Sequence, residues 1–557
     1  MSFYNKSSLL TIPTAYKQGK LYSAKPTDGS GDFTFTRSTS ATRVNEAGLI
    51  EKERENLLLY SNDFSQWINL YSTETGGQVG YDGSNDAWLL TDSASNLTNY
   101  RIFIPVNQNG IYTFSVYAKA GTKDIVYLKS YINNNNIGYF DLTNGTVLTT
   151  INCIDSKIES IGNGWYRCSI VFNQPNDYVT IGMAETTVQS YVGDGTGTIY
   201  IQDAQLEAGL VATDYIETTT STVATGITTN VPRIDYSSGT PSLLLEPQRT
   251  NLITNSEVFV AIGSATVVTN ADISPDGFNN ASKVTFGTSV NEGCFFSSSG
   301  TCNPNTVYTC SGYVKNVSGN GYYSLRIDTD TTSLLVNENF YATNQWTRFT
   351  HTFTTDASAT SFLDGRLRPS AAGAGNEILI YGFQLEEGSY ATSYIPTYGT
   401  SVTRTIDDCF LTNAQDLIGQ TEGTLYCEFL KSDDSAYTIV EINLNDSTNN
   451  RLMIYVEAFN TRIQILLVTG GVQQFNDYFQ YPISNRNKIA LTYTNNNFKL
   501  FVNGSLEWTS TSGTLGSSYN YVALRDNNLS SRQSKTVNVI TFPTILTDAE
   551  CITLTTI

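Results

Sequence analysis

Few side chains in this 557-residue chain are of the types that carry out catalysis, and their spacing does not favour it. A glycoside hydrolase with a pair of acidic residues needs both carboxyl groups to face one cleft. Glu207, Glu386 and Glu387 instead end segments that read as β-strands, and Gln-Leu-Glu occurs at both 205–207 and 384–386. A pattern that recurs at a sheet edge favours a structural role. We therefore expect no catalytic residue and no enzymatic activity.

The sequence contains one histidine, His351. It alternates with Phe349 and Phe353, so that all three side chains lie on one face of a strand. Apolar neighbours on the same face favour a packed histidine over a general base. A matching segment earlier in the chain has Ile170 at this position, which also argues against an essential imidazole.

Metal sites and cofactors receive little support from the sequence. Cys294, Cys302 and Cys310 are evenly spaced, but a zinc site with a single histidine in the chain is disfavoured, and buried free thiols are expected. The acidic loop at 194–197, Asp-Gly-Thr-Gly, has oxygen ligands that calcium prefers, although loops of this composition commonly form simple turns. We expect no cofactor, with a structural calcium at this loop as the alternative.

Glycan binding is the chemistry that the composition allows best, because tyrosine rings stack on sugars and their hydroxyl groups form hydrogen bonds. The chain has 35 tyrosines. The candidates in the two related parts of the chain are Tyr117, Tyr127, Tyr131, Tyr139, Tyr313, Tyr322 and Tyr323. Each of them could equally fill a core, and Trp165 and Trp346 recur in a way that suggests shared packing. No individual glycan-binding residue is assigned.

The charge balance excludes one class of function. Lys+Arg 32 against Asp+Glu 51 gives a net charge of −19, which argues against a protein that coats nucleic acid. No apolar run approaches the roughly 18 residues of a membrane span, so no membrane partner is expected. Charged residues make up only 15% of the chain and aromatic residues 12%, which favours β-structure with real cores over helical bundles or disorder.

An internal repeat is the strongest signal in the sequence. The segment at 55–64 recurs at 250–259 with an offset of 195, and the segment at 111–120 recurs at 307–316 with an offset of 196. Two further blocks recur with smaller offsets: Trp165 matches Trp346 and Gln205 matches Gln384. Four blocks in one order indicate two copies of one domain.

Each copy reads as antiparallel β-structure. Tyr166, Cys168, Ile170 and Phe172 alternate with polar or aromatic neighbours, as in a half-buried strand. Asn-Gly pairs, for example at 144–145 and 163–164, favour tight hairpin turns. At about 150–170 residues per copy, the sequence predicts jelly-roll sandwiches. A third unit, which does not match the repeat, ends in Thr547 and Glu550, spaced as a helical capping box.

These patterns divide the chain into five parts. We predict an extended N-terminal docking arm at 1–50, a jelly roll at 51–220, a connector at 221–244, a second jelly roll at 245–400 and a further sandwich at 401–557. The arm has few aromatic residues for a core of its own, so apolar side chains such as Leu9, Leu10, Ile12 and Tyr16 are expected to order against a partner.

Several motifs resemble those of tailed-bacteriophage virion proteins. TFTRSTSATRVN at 34–45 is similar to a phage signature, and the connector VPRIDYSSGTPSLLLEPQRTNL at 231–252 is similar to a phage segment. The repeated domain resembles a carbohydrate-binding-module jelly roll through SVYAK, GWYR and IYIQDAQLE. KIALTYTNNNFKLFVNG and LTDAE resemble a laminin-G/concanavalin-like sandwich. The resemblance implies a head- or tail-fibre component that carries glycan-binding-type domains.

The functional expectation is therefore a non-enzymatic virion protein on the particle surface, synthesised and assembled in the host cytoplasm because residues 1–20 lack a secretory signal. Its expected partners are other virion proteins, further copies of itself in a homo-oligomer, and host or mucosal glycans. Two alternatives stay open. A depolymerase tailspike would need a parallel β-helix or a carboxylate-lined cleft, and a bacterial surface glycan-binding protein would need an export signal.

Overall fold

A computed structural model describes most of the chain. The described residues are 2–131, 136–173, 176–287, 289–297, 300–333, 335–371, 376–431, 437–443, 448–457, 461–516, 518–524 and 533–557. Within them the chain is almost entirely antiparallel β-structure, as predicted. Three core clusters mark three sandwiches.

Copy 1 is a sandwich of two six-stranded sheets. Sheet 1A has, in spatial order, the strands Thr146–Ile151, Asn136–Asp141, Ile125–Tyr131, Asn176–Ala184, Arg101–Gln108 and Ile68–Leu70. Sheet 1B has Asp155–Gly162, Trp165–Asn173, Ile111–Ala120, Thr198–Ala208, Ala87–Asp92 and Ser72–Gln78. A two-stranded ribbon, Ser95–Asn99 with Ser190–Gly193, and a short 3-10 helix, Phe64–Gln66, complete the copy.

The predicted alternation in copy 1 is confirmed. Cys168, Ile170 and Phe172 are fully buried between the sheets, while Trp165 and Arg167 point to the other side of sheet 1B. Because successive side chains in a strand point to opposite faces, the sequence of this segment alone predicts which face of the sheet each of these five side chains is on.

Copy 2 keeps this strand order, with five of these strands in each sheet instead of six and one short added strand among the described residues. Sheet 2A has Val336–Tyr341, Tyr322–Thr329, Ser361–Pro369, Gly293–Ser297 and Val260–Ile262, with Gly300–Thr301 added on Ser361–Pro369. Sheet 2B has Thr347–Thr354, Val307–Ser318, Glu377–Glu387, Ala281–Thr285 and Thr266–Asp272. Two strands of copy 1 have no counterpart in the described part of copy 2: Thr146–Ile151 and Asp155–Gly162. Copy 2 is shorter for this reason, and the sequence offset between matching residues of the two copies is smaller after this point.

The register confirms the repeat. Gln205 pairs with Ser115 in copy 1, and Gln384 pairs with Ser311 in copy 2. In both copies a bulge follows on the same strand. Its residue with positive φ is Asp203 (51°) in copy 1 and Gly382 (59°) in copy 2. The repeat is therefore a repeat of backbone irregularities as well as of strands.

The third unit is one 16-stranded antiparallel sheet that folds back on a single core. Its strands from residue 408 onwards are Asp408–Thr412, Glu422–Leu430, Tyr437–Asn443, Arg451–Glu457, Arg462–Thr469, Val472–Gln480, Arg486–Thr494, Asn497–Val502, Ser505–Ser510, Tyr521–Ala523 and Ser534–Phe542. The remaining five come from earlier in the chain: Leu9–Lys17, Lys20–Lys25, Phe33–Thr36, Ile234–Asp235 and Ser242–Leu245.

The prediction that residues 1–50 form an extended arm, whose apolar side chains need a partner molecule, is therefore wrong. Leu9 pairs with Thr541, and Phe35 pairs with Cys409. Leu9, Leu21 and Phe35 are at most 1% exposed inside the third core. Alternating apolar residues in this segment lie on one face of three short strands, and the partner that covers them is the other end of the same chain. Of the residues expected to need a partner, Ile12 remains exposed, at 43%.

The predicted connector is also folded. Ser242–Leu245 pairs with Ser534–Phe542, so it belongs to the third unit. Each copy is closed where the chain enters and leaves it: Arg54–Asn56 pairs with Val223–Thr225, and Arg249–Asn251 pairs with Val402–Arg404. A hairpin of Thr42–Val44 and Ile50–Lys52 precedes copy 1. The two jelly rolls are thus insertions into a discontinuous sandwich.

The predicted turns and helix end are confirmed. Asn163 and Gly164 both have positive φ, 53° and 79°, as a tight hairpin turn requires. The helix Asp548–Thr555 begins at Thr547, whose side chain accepts from the Glu550 amide in a capping box. One further short helix spans Phe3–Lys6. Among the described residues, the helices are all too short to cross a membrane.

Candidate functional site

Glu207 and Glu386 are held in matching buried networks. Glu207 Oε1 accepts hydrogen bonds from Gln205 Nε2 (2.7 Å) and from the Thr213 amide (2.8 Å). Glu386 accepts from Gln384 Nε2 and from the Thr392 amide (3.2 Å for Oε1). Burial raises the pKa of Glu386, and the hydrogen bond from Gln384 opposes that rise. Carboxylates saturated in this way anchor the end of each copy.

His351 lies on the inward side of Thr347–Thr354, between Phe349 and Phe353. Its neighbour across the sheet is the buried Cys310, and its ring is parallel to Phe353 at 6.4 Å. Burial lowers the pKa of His351, which keeps the imidazole neutral at physiological pH. These contacts agree with the predicted packed histidine.

The cysteines and the candidate calcium loop have ordinary surroundings. All eight cysteines are free, and seven of them are buried. Asp194 Oδ1 accepts from the amide and hydroxyl of Thr196, at 2.9 and 2.6 Å, which is a local turn. In the part of the chain that the structure describes, no three His, Cys, Asp or Glu side chains are grouped to hold a metal ion.

The candidate tyrosines with described side chains lie in four environments. Tyr127 and Tyr139 lie together on the outward face of sheet 1A, with ring centroids 5.8 Å apart. Tyr117 and Tyr313 lie at equivalent places on the outward faces of sheets 1B and 2B. Tyr323 is in the core of copy 2. Tyr322 is exposed beside Tyr341 at a strand end, and the side chain of Tyr131 lies outside the described residues.

Tyr117 and Tyr313 belong to matching packing clusters on sheets 1B and 2B. Arg167 lies 5.2 Å from the Tyr117 ring, and Arg348 lies 5.4 Å from the Tyr313 ring. Trp165 is 2% exposed beside Tyr117, which accounts for the recurrence of tryptophan here as packing. In copy 2 this cluster is covered by Ile50 from the hairpin that precedes copy 1, together with other side chains.

The outward face of sheet 1A, here called face 1, is formed by Arg101, Phe103, Tyr127, Lys129, Ile137, Tyr139, Thr180 and Gly182. These residues alternate with core residues such as Val126, Leu128 and Ile181, and so point away from the core. Tyr127 and Thr180 are nevertheless 0% exposed, and Lys129 is 4% exposed. Face 1 is therefore recessed below its surroundings.

Face 1 combines aromatic rings with an unpaired polar atom. Thr180 Oγ1 is buried without a hydrogen-bond partner among the described residues, whereas the Tyr127 hydroxyl interacts with the side chain of Arg101. Burial and the nearby Arg101 charge lower the pKa of Lys129 to about 8. Because an unpaired buried polar group costs about 1–3 kcal/mol, a hydrogen bond from a ligand to Thr180 Oγ1 would be favourable.

Close packing on face 1 depends on a glycine. Tyr127 pairs across the sheet with Gly182. A Cβ atom at Gly182 would lie 2.3 Å from Tyr127 Cζ, which is too close for any side chain. The glycine therefore makes the space that the Tyr127 ring fills.

The outward face of sheet 2A, here called face 2, has the same layout with different chemistry. It is formed by Phe295, Ser324, Arg326, Asn337, Asn339, Arg366 and Arg368, flanked by Asp328 and Asp364. Phe103 pairs with Thr180 on face 1, and Phe295 pairs with Arg366 on face 2. Face 2 thus has arginine and asparagine where face 1 has tyrosine, isoleucine and threonine.

Sequence reasoning missed two buried charge clusters between the units. Lys52 Nζ lies 3.0 Å from Glu257 and 3.1 Å from Asp276, and it donates to Tyr398 (2.9 Å). Arg233 pairs with both Glu246 (2.6 Å) and Asp407. The sequence signal that could have revealed these clusters is a run of charged residues within connecting segments that are otherwise apolar.

A second group of charges completes the junction. Arg404 joins Glu246 at 2.8 Å, and Arg37 joins Asp407 at 3.1 Å. All four side chains are at most 1% exposed. Since these charges pair with one another, we interpret the cluster as a contact that holds the third unit and copy 2 together.

A cavity of about 440 Å³ lies next to this cluster, between sheet 2B, the hairpin before copy 1 and the third unit. Two charged side chains of its lining are already in ion pairs: Arg43 with Glu51 at 2.8 Å and Lys535 with Asp235 at 3.2 Å. Arg348, also in the lining, donates to the Thr392 carbonyl at 2.7 Å. Paired charges and a position between structural units make this cavity a weaker candidate than faces 1 and 2.

Comparisons with known proteins found solved structures only. No family model and no curated protein matches the chain. The Ruminococcus gnavus IT-sialidase CBM40 bound to alpha2,3 sialyllactose is 18% identical, with 25% of this chain and 84% of that chain covered at a TM-score of 0.21. The N-terminal CBM22-1-CBM22-2 tandem domain of Paenibacillus barcinonensis Xyn10C is 12% identical, covering 60% and 97% at a TM-score of 0.20.

A third solved structure is similar over more of the chain. The LG1-3 region of the laminin alpha2 chain is 9% identical, covering 81% of this chain and 96% of that one at a TM-score of 0.14. Identities and TM-scores this low support no assignment of ligand or activity.

Proposed function

We propose that the protein is a non-enzymatic glycan-binding protein whose binding surfaces are faces 1 and 2. The observation that carries this proposal is the chemistry of face 1. Two tyrosine rings and one buried, unpaired hydroxyl group, Thr180 Oγ1, lie on one recessed sheet surface. Ligand sites in proteins combine apolar and aromatic walls with a few polar groups that fix orientation.

A sugar ring suits such a surface. Its C–H faces pack against aromatic rings, and its hydroxyl groups both donate and accept hydrogen bonds. Tyr127 and Thr180 each offer one hydroxyl, which can do the same. Face 1 contains no pair of carboxylates of the kind that hydrolysis of a glycosidic bond uses. Binding without cleavage is therefore the better match.

The test is a titration of the purified protein with neutral oligosaccharides, taken from a glycan array, followed by calorimetry. Tyr127→Ala and Tyr139→Ala should each weaken binding at least tenfold, because each removes part of the platform. Tyr478→Ala is the matched control, since Tyr478 is 64% exposed on the third unit. Binding that is unchanged in both face 1 variants would place the site elsewhere and reject the proposal.

Incubation with capsular polysaccharide separates this proposal from a depolymerase. We expect the polysaccharide chain length to remain unchanged. New reducing ends that disappear in Glu207→Gln or Glu386→Gln would identify the protein as an enzyme.

We further propose that the protein is a virion surface component of a tailed bacteriophage, a head- or tail-fibre or decoration protein that assembles as a homo-oligomer. Support comes from the motifs at 34–45 and 231–252. Many weak sites on one particle would raise avidity without new contacts, and appendages attach at symmetric positions. Immunogold labelling of particles with an antibody against the protein tests this, with particles from a gene deletion as control. Particles that lack the label would reject it.

A further inference from the structure

Face 2 has an excess of positive charge in a strongly acidic protein. Arg326 and Arg366 pair directly across two strands, and Arg368 lies two residues further along the same strand. Like charges placed opposite each other destabilise a sheet unless other charges compensate. The chain as a whole has a net charge of −19, so three clustered arginines need a local explanation.

Two of the three arginines have carboxylate partners. Arg326 Nε donates to Asp328 Oδ1 at 3.0 Å, and Arg366 pairs with Asp364. Arg368 has no ion pair among the described residues. Its Nη2 donates to Asn337 Oδ1, and its Nε is buried without a partner. Arg368 is 9% exposed, so its positive charge is held, largely desolvated, on a recessed face.

Comparison of the copies places Arg368 at the centre of face 2. Its cross-strand neighbour is Ser324, just as Gly182 is the neighbour of Tyr127 on face 1. In copy 1 the small residue is on one strand and the large side chain on the other, and in copy 2 the two are exchanged. The central position of the face therefore holds a phenol ring in copy 1 and a guanidinium group in copy 2.

We infer that face 2 binds the carboxylate of an acidic sugar through Arg368. The inference rests on the proposed glycan-binding function and extends it to the class of ligand. A guanidinium group presents parallel N–H donors that match a carboxylate in a two-point contact. Asp328 and Asp364 offset two of the three arginine charges on face 2. A ligand with one carboxylate would neutralise the remaining positive charge.

The neighbouring groups fit a sugar rather than an isolated anion. Phe295 packs against the Arg366 guanidinium at 5.0 Å and offers an apolar surface. Asn339 lies next to Ser324 across the sheet and offers amide donors and acceptors. Arg326 and Arg366 are 19% and 17% exposed at their side chains, so face 2 remains open to solvent beside the recessed Arg368.

The probe is an oligosaccharide that contains hexuronate, compared with the same oligosaccharide after chemical reduction of its carboxyl groups to alcohols. Calorimetry on the full chain should show binding of the acidic form at least tenfold tighter than of its reduced form. Raising the salt concentration should weaken the acidic ligand selectively, because screening acts on the charge interaction.

Variants locate the effect. Arg368→Gln should abolish the preference for the acidic ligand, Arg368→Lys should keep part of it, and Arg486→Gln on the third unit should not change it. Tyr127→Ala on face 1 should leave the preference for the acidic ligand in place. Since the salt dependence is measured on the unaltered protein, the test does not depend on the folding of any variant.

The outcomes separate this inference from the proposed function. Neutral oligosaccharides that bind through Tyr127, without any preference for hexuronate, would overturn the role of face 2 and leave the glycan-binding proposal intact. A hexuronate preference that persists in Arg368→Gln would also overturn it. Binding of neither ligand at either face would reject the glycan-binding function itself.

Discussion

Asn56 in copy 1 and Asn251 in copy 2 make the same four hydrogen bonds. The Asn56 amide donates to the carbonyls of Ala204 and Ile216, and its Oδ1 accepts from the amides of Leu58 and Leu206. Asn251 repeats this set with backbone groups at the corresponding positions. Both side chains are 0% exposed. One buried amide thus joins the entry and exit segments of each jelly roll.

Replacing this amide should destabilise the copy that contains it. Asn251→Ala leaves four buried backbone groups unpaired, and we expect the free energy of unfolding of copy 2 to fall by about 3 kcal/mol. Chemical denaturation followed by tyrosine fluorescence measures this. The exposed Asn291→Ala is the control and should change the stability by less than about 0.5 kcal/mol. An equal effect of the two variants would contradict the shared role of Asn56 and Asn251.

Asp203 should make stability depend on pH. Burial raises the pKa of Asp203 to about 7. Between about pH 4 and pH 7 the folded state holds a proton that the unfolded state has lost, so stability decreases as pH rises through that window. Asp203→Asn removes this contribution, and the asparagine tolerates the positive φ of 51°.

Urea denaturation of the variant and the unaltered protein at pH 4 and pH 8 tests this. The variant should gain on the order of 3 kcal/mol relative to the unaltered protein between the two pH values. Asp194→Asn, on an exposed loop, is the control. A variant whose relative stability is the same at both pH values would show that Asp203 is ionised in the folded state.

Lys52 should be required for copy 2, although it precedes copy 1 in the sequence. Lys52→Met removes the ammonium group that contacts both Glu257 and Asp276, and leaves only Arg54, at 3.9 Å from Asp276, as a cation beside them. We expect this change to cost about 3–5 kcal/mol at pH 7. The pKa of Asp276 is held at about 2 with Lys52 in place. Without that cation the carboxylates can protonate as the pH falls, so part of the loss should be recovered at pH 4.

Thermal unfolding at the two pH values measures this effect. Lys315→Met is a matched control, because Lys315 makes only a long, exposed contact with Asp272 at 3.7 Å. A loss of stability in Lys52→Met that is no smaller at pH 4 would contradict the charge explanation.

Deleting residues 2–35 should prevent the third unit from folding. The deletion removes the strands Leu9–Lys17 and Lys20–Lys25, with side chains that contribute roughly 1.5–3 kcal/mol each when fully buried. Hydrogen exchange should then show lost protection of Ser534–Phe542, while Val307–Ser318 in copy 2 stays protected. If Ser534–Phe542 remains protected, the first strands are dispensable and the segment is free to act as an arm.

The repeat, the strand faces and the turns could be predicted because their signals are local or recur in the sequence. Alternation in 165–172 fixes which side chains are buried, and Asn163-Gly164 fixes a turn. The pairing of Leu9 with Thr541 could not be predicted, because alternation shows that a strand has a buried face but not which distant strand covers it.

The sequence named candidate tyrosines but assigned no glycan-binding residue. Tyr127 and Tyr139 were chosen for residue type alone, and only the register of sheet 1A brings them together. Arg366 and Arg368 carried a signal that was overlooked, since residues two apart in a strand share a face. Arg326 joins them only through strand pairing, which no local pattern encodes.

The discontinuous third unit has a consequence for biosynthesis. Leu9 cannot pair with Thr541 until the ribosome has added Thr541, which is 541 − 9 = 532 residues later. At ~5–20 residues per second this takes roughly 30 to 100 s. During that time both jelly rolls can fold on the nascent chain while the apolar strands at its front remain uncovered. We therefore expect a chaperone to hold the emerging N-terminal segment, and truncated translation products to aggregate through it.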